Sequence, residues 1–541
     1  MPAYEYQLLL KRLLQQGVAW APEQEIVYRD RLRFTYTELN QRVLQLAGGL
    51  TFLKAGIGSR IGVLEWDSHR YLEMYFGVPG IGAVLHTINP GLAPEQLLYT
   101  IQHAGDEILI FHESFIPLVE KMRAALPTVR QFILIRDEAE DLELGWEALD
   151  YEAFLAGAEP LLELPDLDEN ILATQSYTTG TTGNPKGVYF TQRQITLQSL
   201  CDAVALSALG SFGGVSKQDV YLPLTPMFHS HAWGMPYVAT LLGIKQVFSG
   251  KYQIPVILGL LQREQVTFSH CVPTILQAIV TALSNQGQVL QSWKVIVGGA
   301  ALPKKLAREA AGLGIHTYGG YGLSETCPVL TIANLKPEME TWDAETQLDW
   351  LIKAGFTIPL VDLRVVDQAG RQVEKDGKAT GEVVVRSPWC TQGYLEDPAG
   401  SQELWAGGWL HTGDLATMDP FGYVQIVDRI KDVIKSGGEW IVSGELENIL
   451  GQCEDVQDVA VIGTPDEKWG ERPLAIVVPL PGCEHKLNAA SLKAFLAGYV
   501  KAGMLNSWAV PEQYIFVAEL PKTSVGKFDK KLLRSRYASE L

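Results

Sequence analysis

Tyr177-Thr178-Thr179-Gly180-Thr181-Thr182-Gly183-Asn184-Pro185-Lys186-Gly187 places three glycines, four threonines and one lysine within eleven residues. Backbone amides in such a turn form an anion-binding nest, the hydroxyls add neutral donors, and Lys186 adds a full charge. A phosphate chain is the ligand this chemistry suits. The segment is not a Walker A loop, because Lys186 follows proline and no hydroxyl follows it. A phosphate loop of this kind belongs with an open α/β sheet, where ligands sit beyond the carboxyl ends of strands.

Working outward, the flanking sequence alternates helix and strand patterns. Thr35-Tyr36-Thr37-Glu38 has the form of a capping box. Leu39, Val43, Leu46, Leu50 and Leu53 follow at helical spacing, with Gly56 and Gly58 as the stop. Ile61–Trp66 reads as a strand, Pro94 to Ile101 as a helix, and Ile108–Phe111 as another strand. Tyr221–Leu224, Gln246–Phe248, Thr267–Phe268 and Lys294–Val297 are further strand candidates. The expected class is α/β, a large N-terminal domain of layered sheets. Past Gly355 short strands at Leu363–Val366, Gly381–Arg386 and Tyr423–Val427 suggest a β-rich subdomain, in the form of a small barrel. Lys431–Leu541 reads as a separate small α+β domain, with a helix at Ser443–Leu450 and strands at Val459–Ile462 and Leu474–Val478.

Composition narrows the function. At 541 residues the chain is long enough for two or more domains, and 47% hydrophobic against 20% charged residues marks a globular protein. A formal net charge of −18 works against general nucleic-acid binding but leaves room for an anionic ligand in a local basic cleft. Cys201, Cys271, Cys327, Cys390, Cys453 and Cys483 lie far apart, without zinc-finger spacing, and are expected to be six buried thiols. Met1 to Gln16 lacks a signal peptide's apolar run, and nothing approaches a membrane span. A reduced, cytoplasmic enzyme is the expectation. Its partners are small molecules, and peripheral membrane contact and a homodimer both remain open.

The phosphate segment closely resembles that of the adenylate-forming superfamily, which holds acyl-CoA synthetases, luciferases and the adenylation domains of peptide synthetases. Five more segments match in order: Gly319-Gly320-Tyr321-Gly322-Leu323-Ser324-Glu325-Thr326, Thr412-Gly413-Asp414, Asp428-Arg429-Ile430-Lys431-Asp432, Ser436-Gly437-Gly438-Glu439 and Pro521-Lys522-Thr523-Ser524-Val525-Gly526-Lys527. The resemblance covers essentially the whole chain and is nearest to bacterial medium- and long-chain fatty-acyl-CoA synthetases. It implies an AMP-binding and acyl-binding domain over residues 1–430 and a mobile lid over 431–541, hinged at Lys431. It also implies ATP, Mg²⁺ and coenzyme A as cofactors.

By resemblance, Thr178, Thr179, Gly180, Thr181, Thr182, Gly183 and Lys186 hold phosphates. Tyr321 stacks on adenine between Gly320 and Gly322, with Thr326 nearby, and Asp414 and Arg429 hold the ribose and phosphates. Thr181 and Glu325 are the metal ligands, with Thr178 the alternative to Thr181. Lys527 bridges the acyl carboxylate and the α-phosphate, a place where a fixed cation helps most at the transition state. Gly437 and Gly438 would let the pantetheine arm run close to backbone.

The acid is read from Phe228-His229-Ser230-His231-Ala232-Trp233-Gly234. Amino-acid-activating relatives have an aspartate after the phenylalanine; here His229 stands there, and no acid follows to hold an ammonium. His229 is expected near the substrate carboxylate, with His231 structural or functional. Trp233 resembles a gate to an apolar tunnel, a pattern that also includes Lys435. Val272-Pro273-Thr274 and Gly298-Gly299-Ala300 would line the acyl path, and Gly299 and Ala300 also count among the cofactor contacts. Gly322 stands where acetate-specific relatives carry a blocking tryptophan. A medium- to long-chain fatty acid is the expected substrate; short, branched, thioether and aryl acids are the alternative. A luciferase-like oxygenase and a degenerate ATP-binding protein are the more distant rivals.

Overall fold

Thr35 caps the helix Tyr36–Phe52 as the sequence predicts: its hydroxyl accepts from the Glu38 amide, and the Glu38 carboxylate accepts from the Thr35 amide at 2.6 Å. In the computed structural model, which describes residues 4–137, 144–178, 184–208, 210, 214–437, 439–523 and 528–537, this helix packs on the helix His69–Gly80 and shares a core with the first of two large sheets. Among the described residues that sheet has seven strands, in the order Leu149–Asp150, Gln131–Ile135, Ile108–His112, Arg60–Leu64, Val84–Thr87, Leu172–Tyr177 and Gly187–Thr191. All neighbours are parallel except the last pair.

A second sheet of nine described strands has Val220–Pro223, Phe268–Cys271, Trp293–Val297 and Ile315–Gly322 running parallel at its centre. Buried apolar side chains from both sheets share one core, including Ile61 and Val63 from the first and Tyr221 and Phe248 from the second. Parallel strands covered on both faces read as continuous apolar runs, which is why these segments were visible in the sequence.

The β-rich subdomain differs from expectation. Asp362–Val366, Gly381–Arg386, Leu410–Met418 and Val424–Arg429 form an antiparallel sheet in that order, and its first and last strands do not pair. It is an open sheet, not a barrel, and Val383 and Val385 bury its inner face in the shared core. The cysteines also differ in part. All six are free, but Cys453 and Cys483 are only partly buried.

From Ile434 onward the chain builds a sheet of its own, with Val456–Asp466 and Gly470–Pro479 as a long antiparallel pair. Ile434, Ile441, Leu446, Val461 and Val477 form a core separate from the rest. Polar groups join this part to Val424–Arg429. Asp428 accepts from the Ser443 amide and hydroxyl at 2.5 and 2.8 Å, Lys530 donates to the same hydroxyl at 2.7 Å, and Lys530 pairs with Glu447.

Candidate active site

The phosphate segment is the turn of a hairpin. Tyr177 pairs with Gly187, and the Thr178 amide donates to the Lys186 carbonyl at 2.9 Å, closing the hairpin's base. Thr178 is half-buried there. Thr179, Gly180, Thr181, Thr182 and Gly183 lie outside the described residues, as do Gly438 and Lys527. Lys186 is described: its ammonium lies 3.4 Å from Asp397 Oδ2 and 4.4 Å from the centre of the Tyr394 ring.

The strand Ile315–Gly322 brings the next group. Tyr321 donates its hydroxyl to Asp414 Oδ2 at 2.9 Å, and Asp414 Oδ1 lies 3.1 Å from Arg429 Nε. Asp414 and Arg429 are direct partners on adjacent antiparallel strands, so the register itself sets them side by side. Burial and the Asp414 carboxylate push the Tyr321 phenol well above its ordinary value, so it stays a donor. These three expected nucleotide residues therefore converge, with lone pairs left on Asp414 for ribose hydroxyls.

Glu325 sits on the short turn Ser324–Thr326, and its Oε1 accepts from Tyr394 OH at 2.9 Å. Thr326 has a structural part of its own. It is fully buried; its hydroxyl accepts from the Leu323 amide and donates to the Pro328 carbonyl, which fixes the turn that aims Glu325. Magnesium bridging phosphates takes few protein oxygens, so a single carboxylate such as Glu325 fits it. Among the described residues no group of three or more His, Cys, Asp or Glu side chains could hold a metal by itself.

The acyl side begins with unusual backbone. Ser230, His231, Ala232 and Trp233 have φ of 46°, 55°, 48° and 58°, and Gly234 continues at 75°. Four consecutive L-residues are held left-handed, at a cost of about 1–2 kcal/mol each. The preceding residues are anchored to compensate: Met227 N donates to Asp67 at 2.8 Å, Tyr75 OH donates to Met227 O, and Thr87 donates to Phe228 O. Ser230 and Ser324 hydroxyls meet at 3.1 Å.

Trp233 is buried, its ring centre 5.0 Å from that of His270. A Cβ at Gly298 would lie 3.0 Å from the Trp233 ring and 2.9 Å from Gly320 O, so glycine there lets the indole seat. His229 is half-buried. His231 is buried and pushed down to about 4 by burial, which keeps it neutral. Val272 follows the strand Phe268–Cys271 and precedes the helix starting at Pro273; Gly299 and Ala300 lie exposed just past Trp293–Val297. Both segments thus stand at carboxyl strand ends. A Cβ at Gly322 would lie 1.8 Å from Pro328 O, so its lack of a side chain also serves backbone packing.

At the other end of the site, Lys431 and Lys435 are exposed, and Gly437 (φ 61°) donates its amide to Trp469 O at 2.7 Å. Sequence reasoning missed Tyr394, Asp397, Asp67, Tyr75 and Thr87. The signal for Asp67 was available in Leu64-Glu65-Trp66-Asp67, where acids interrupt an apolar strand.

Comparison with known proteins places this arrangement. Residues 14–395 match the AMP-binding enzyme family, and residues 445–527 match the AMP-binding enzyme C-terminal domain. A long-chain-fatty-acid–CoA ligase of Thermus thermophilus is 41% identical, covering 98% of this chain and 96% of the relative. A 3-methylmercaptopropionyl-CoA ligase of Ruegeria pomeroyi is 38% identical, over 91% and 90%. The crystal structure of an anthranilate CoA ligase with anthranoyl-AMP has the same fold, with a TM-score of 0.85, 24% identity and coverage of 100% and 99%. The chain belongs to the AMP-binding enzyme family, among its acyl-CoA ligases.

Asp67 yields a test. Burial pushes its carboxyl up to about 7, against the Met227 and Tyr252 hydrogen bonds that lower it. An acid raised in the folded state stabilises the fold below its unfolded value near 3.8, and that contribution is lost as pH climbs towards about 7. Asn keeps an acceptor for Met227 and has no charge to desolvate. Asp67→Asn is therefore expected to gain about 1–3 kcal/mol relative to the parent between pH 5 and pH 8. Urea melts at the two pH values read this, and a constant difference would refute the buried-anion account.

Proposed function

We propose that this chain is an ATP-dependent, cytoplasmic ligase joining medium- to long-chain fatty acids to coenzyme A through an acyl adenylate. The reading is carried by the convergence of Tyr321, Asp414, Arg429, Glu325 and Lys186 beyond the carboxyl ends of the central strands.

In the first half-reaction a carboxylate oxygen attacks the α-phosphorus of ATP, the bond to the β-phosphate oxygen breaks, and pyrophosphate leaves. Two anions must meet, so the chain's task is to place cations. Lys186 and the phosphate-loop amides hold the β- and γ-phosphates, while Arg429 and Asp414 hold α-phosphate and ribose. Lys527 carries its charge to the oxygens where negative charge concentrates. Glu325 and Thr181 or Thr178 would hold Mg²⁺, which when bound neutralises the pyrophosphate. His229 faces the acid's carboxylate.

In the second half-reaction the coenzyme A sulfur attacks the acyl carbon, the carbon–oxygen bond to AMP breaks, and the thiol proton passes to solvent. Residues 431–541 turn about Lys431 so that Gly437-Gly438 replaces Lys527 at the site, and water stays excluded.

Fatty acid is favoured by the buried Trp233 beside Gly298, with the small residues Gly299 and Ala300 following in the chain. Each methylene buried is worth about 0.8 kcal/mol, so selectivity is graded along the chain. The thioether acid of the Ruegeria pomeroyi relative supports a short sulfur-containing acid as the second reading.

The deciding experiment is coenzyme A-dependent AMP release across straight-chain, thioether, branched and aryl acids. Pyrophosphate release with none of them would end the proposal. Lys527→Ala is expected to abolish adenylation yet still form thioester from supplied acyl adenylate; equal loss of both steps would remove the lid rotation. Trp233→Ala is expected to shift chain-length preference with an unchanged KM for ATP, and an unaltered length profile would dismiss the gate.

A further inference from the structure

Residues Thr391 to Asp397 touch both halves of the nucleotide site. The Thr391 amide donates to the Glu325 carbonyl at 2.8 Å. Three residues on, Tyr394 bridges to Val188 in antiparallel fashion, and the Leu395 amide donates to the Gly187 carbonyl at 2.8 Å. The same short segment is therefore bonded to the backbone of the expected metal glutamate and to the strand that leaves the phosphate loop.

Its side chains repeat the connection. Tyr394 gives its hydroxyl to Glu325 Oε1 at 2.9 Å while the Lys186 ammonium rests 4.4 Å from its ring centre. Asp397 divides its two oxygens. Oδ1 accepts from the Gly400 amide at 2.8 Å and caps the helix Pro398–Leu404, and Oδ2 faces Lys186 at 3.4 Å. Gly400 leaves the room this needs. A Cβ there would stand 2.2 Å from Asp397 Oδ2 and 2.9 Å from Lys186 Nζ.

We propose that Tyr394 is a positioning residue that orients Glu325 for magnesium, and that Tyr394 and Asp397 together hold Lys186 at rest until nucleotide phosphates displace them. The assignment rests on the ligase reading above and adds to it two residues with separable roles. A carboxylate free to rotate would have to be ordered when the cation arrives; the phenol holds it in advance. The Lys186–Asp397 pair is 42% and 38% exposed, so it is weak and yields readily to a multiply charged phosphate chain. Lysine kept extended beside its destination loses less freedom on binding than one loose in solvent.

Two substitutions separate the roles, read by calorimetric titration of the full chain with ATP, once with excess Mg²⁺ and once with chelator. Tyr394→Phe keeps the ring under Lys186 and removes only the hydroxyl. It is expected to leave ATP affinity in chelator within about twofold of the parent and to weaken it about tenfold in Mg²⁺, the size expected for one hydrogen bond to a charged group. Asp397→Asn keeps the Oδ1 cap and removes the charge facing Lys186. It is expected to tighten ATP binding about two- to fivefold with or without Mg²⁺, since only a weak competitor is lost.

Thermal melts identify any loss of fold, and Asp397→Asn decides the resting place independently should Tyr394→Phe melt early. For Tyr394→Phe, an equal change in both conditions would reduce the hydroxyl to a structural role, and no change would overturn its orienting of Glu325. Unchanged or weakened ATP binding in Asp397→Asn would overturn the resting place. A parent protein that binds no ATP in either condition would overturn the ligase reading itself, an outcome distinct from all of these.

Discussion

The strand Ile315–Gly322 runs through a space with almost no room for side chains, and the site is organised around that restriction. A Cβ at Gly319 would lie 1.9 Å from the Lys353 carbonyl, one at Gly320 2.9 Å from Ile296, and one at Gly322 1.8 Å from the Pro328 carbonyl. Backbone meets backbone at Gly319 and Gly322, and a side-chain methyl closes the space at Gly320. Tyr321, between two glycines, is the first large side chain at the strand's end, and it emerges against Asp414. The chain then turns through Thr326 and presents Glu325 a few residues later. Two groups of opposite task, an aromatic face and an anionic oxygen, are thus brought to one place by what the glycines lack.

The electrostatics follow the same economy of space. In a chain of net charge −18, two described cations of the site stand beside acids: Lys186 by Asp397 and Arg429 by Asp414. Their charges are held at fixed positions before any substrate is present. On the proposed reading, phosphates take over Lys186 from Asp397 while Arg429 keeps its place beside Asp414, which leaves little reorganisation for the reaction to drive.

Much of this was legible in the sequence, and the limits have physical causes. The capping box, the apolar parallel strands and the glycine motifs are local, so their patterns survive in one dimension. The Asp414–Arg429 pairing was visible as two motifs and became a contact only through strand register. Asp67 is 160 residues from Met227, and Tyr394 is 69 from Glu325. No periodicity encodes partners that far apart. Thr326 marks another limit: its buried hydroxyl ties the turn to Leu323 and Pro328, a role that no local pattern announces. The open sheet after Gly355 was taken for a barrel because short alternating strands look alike whether or not the edges close.

The left-handed turn before Gly234 lies on the seam between the two large sheets. Asp67, Tyr75 and Thr87 reach it from the seven-stranded side, while Gly298, His270 and Ser324 meet it from the nine-stranded side. Its shape is imposed from outside, since left alone the local chain would coil the other way. On the proposed gate at Trp233, discrimination among acids would be written partly into Asp67, Tyr75 and Thr87, which hold the approach to the turn from behind.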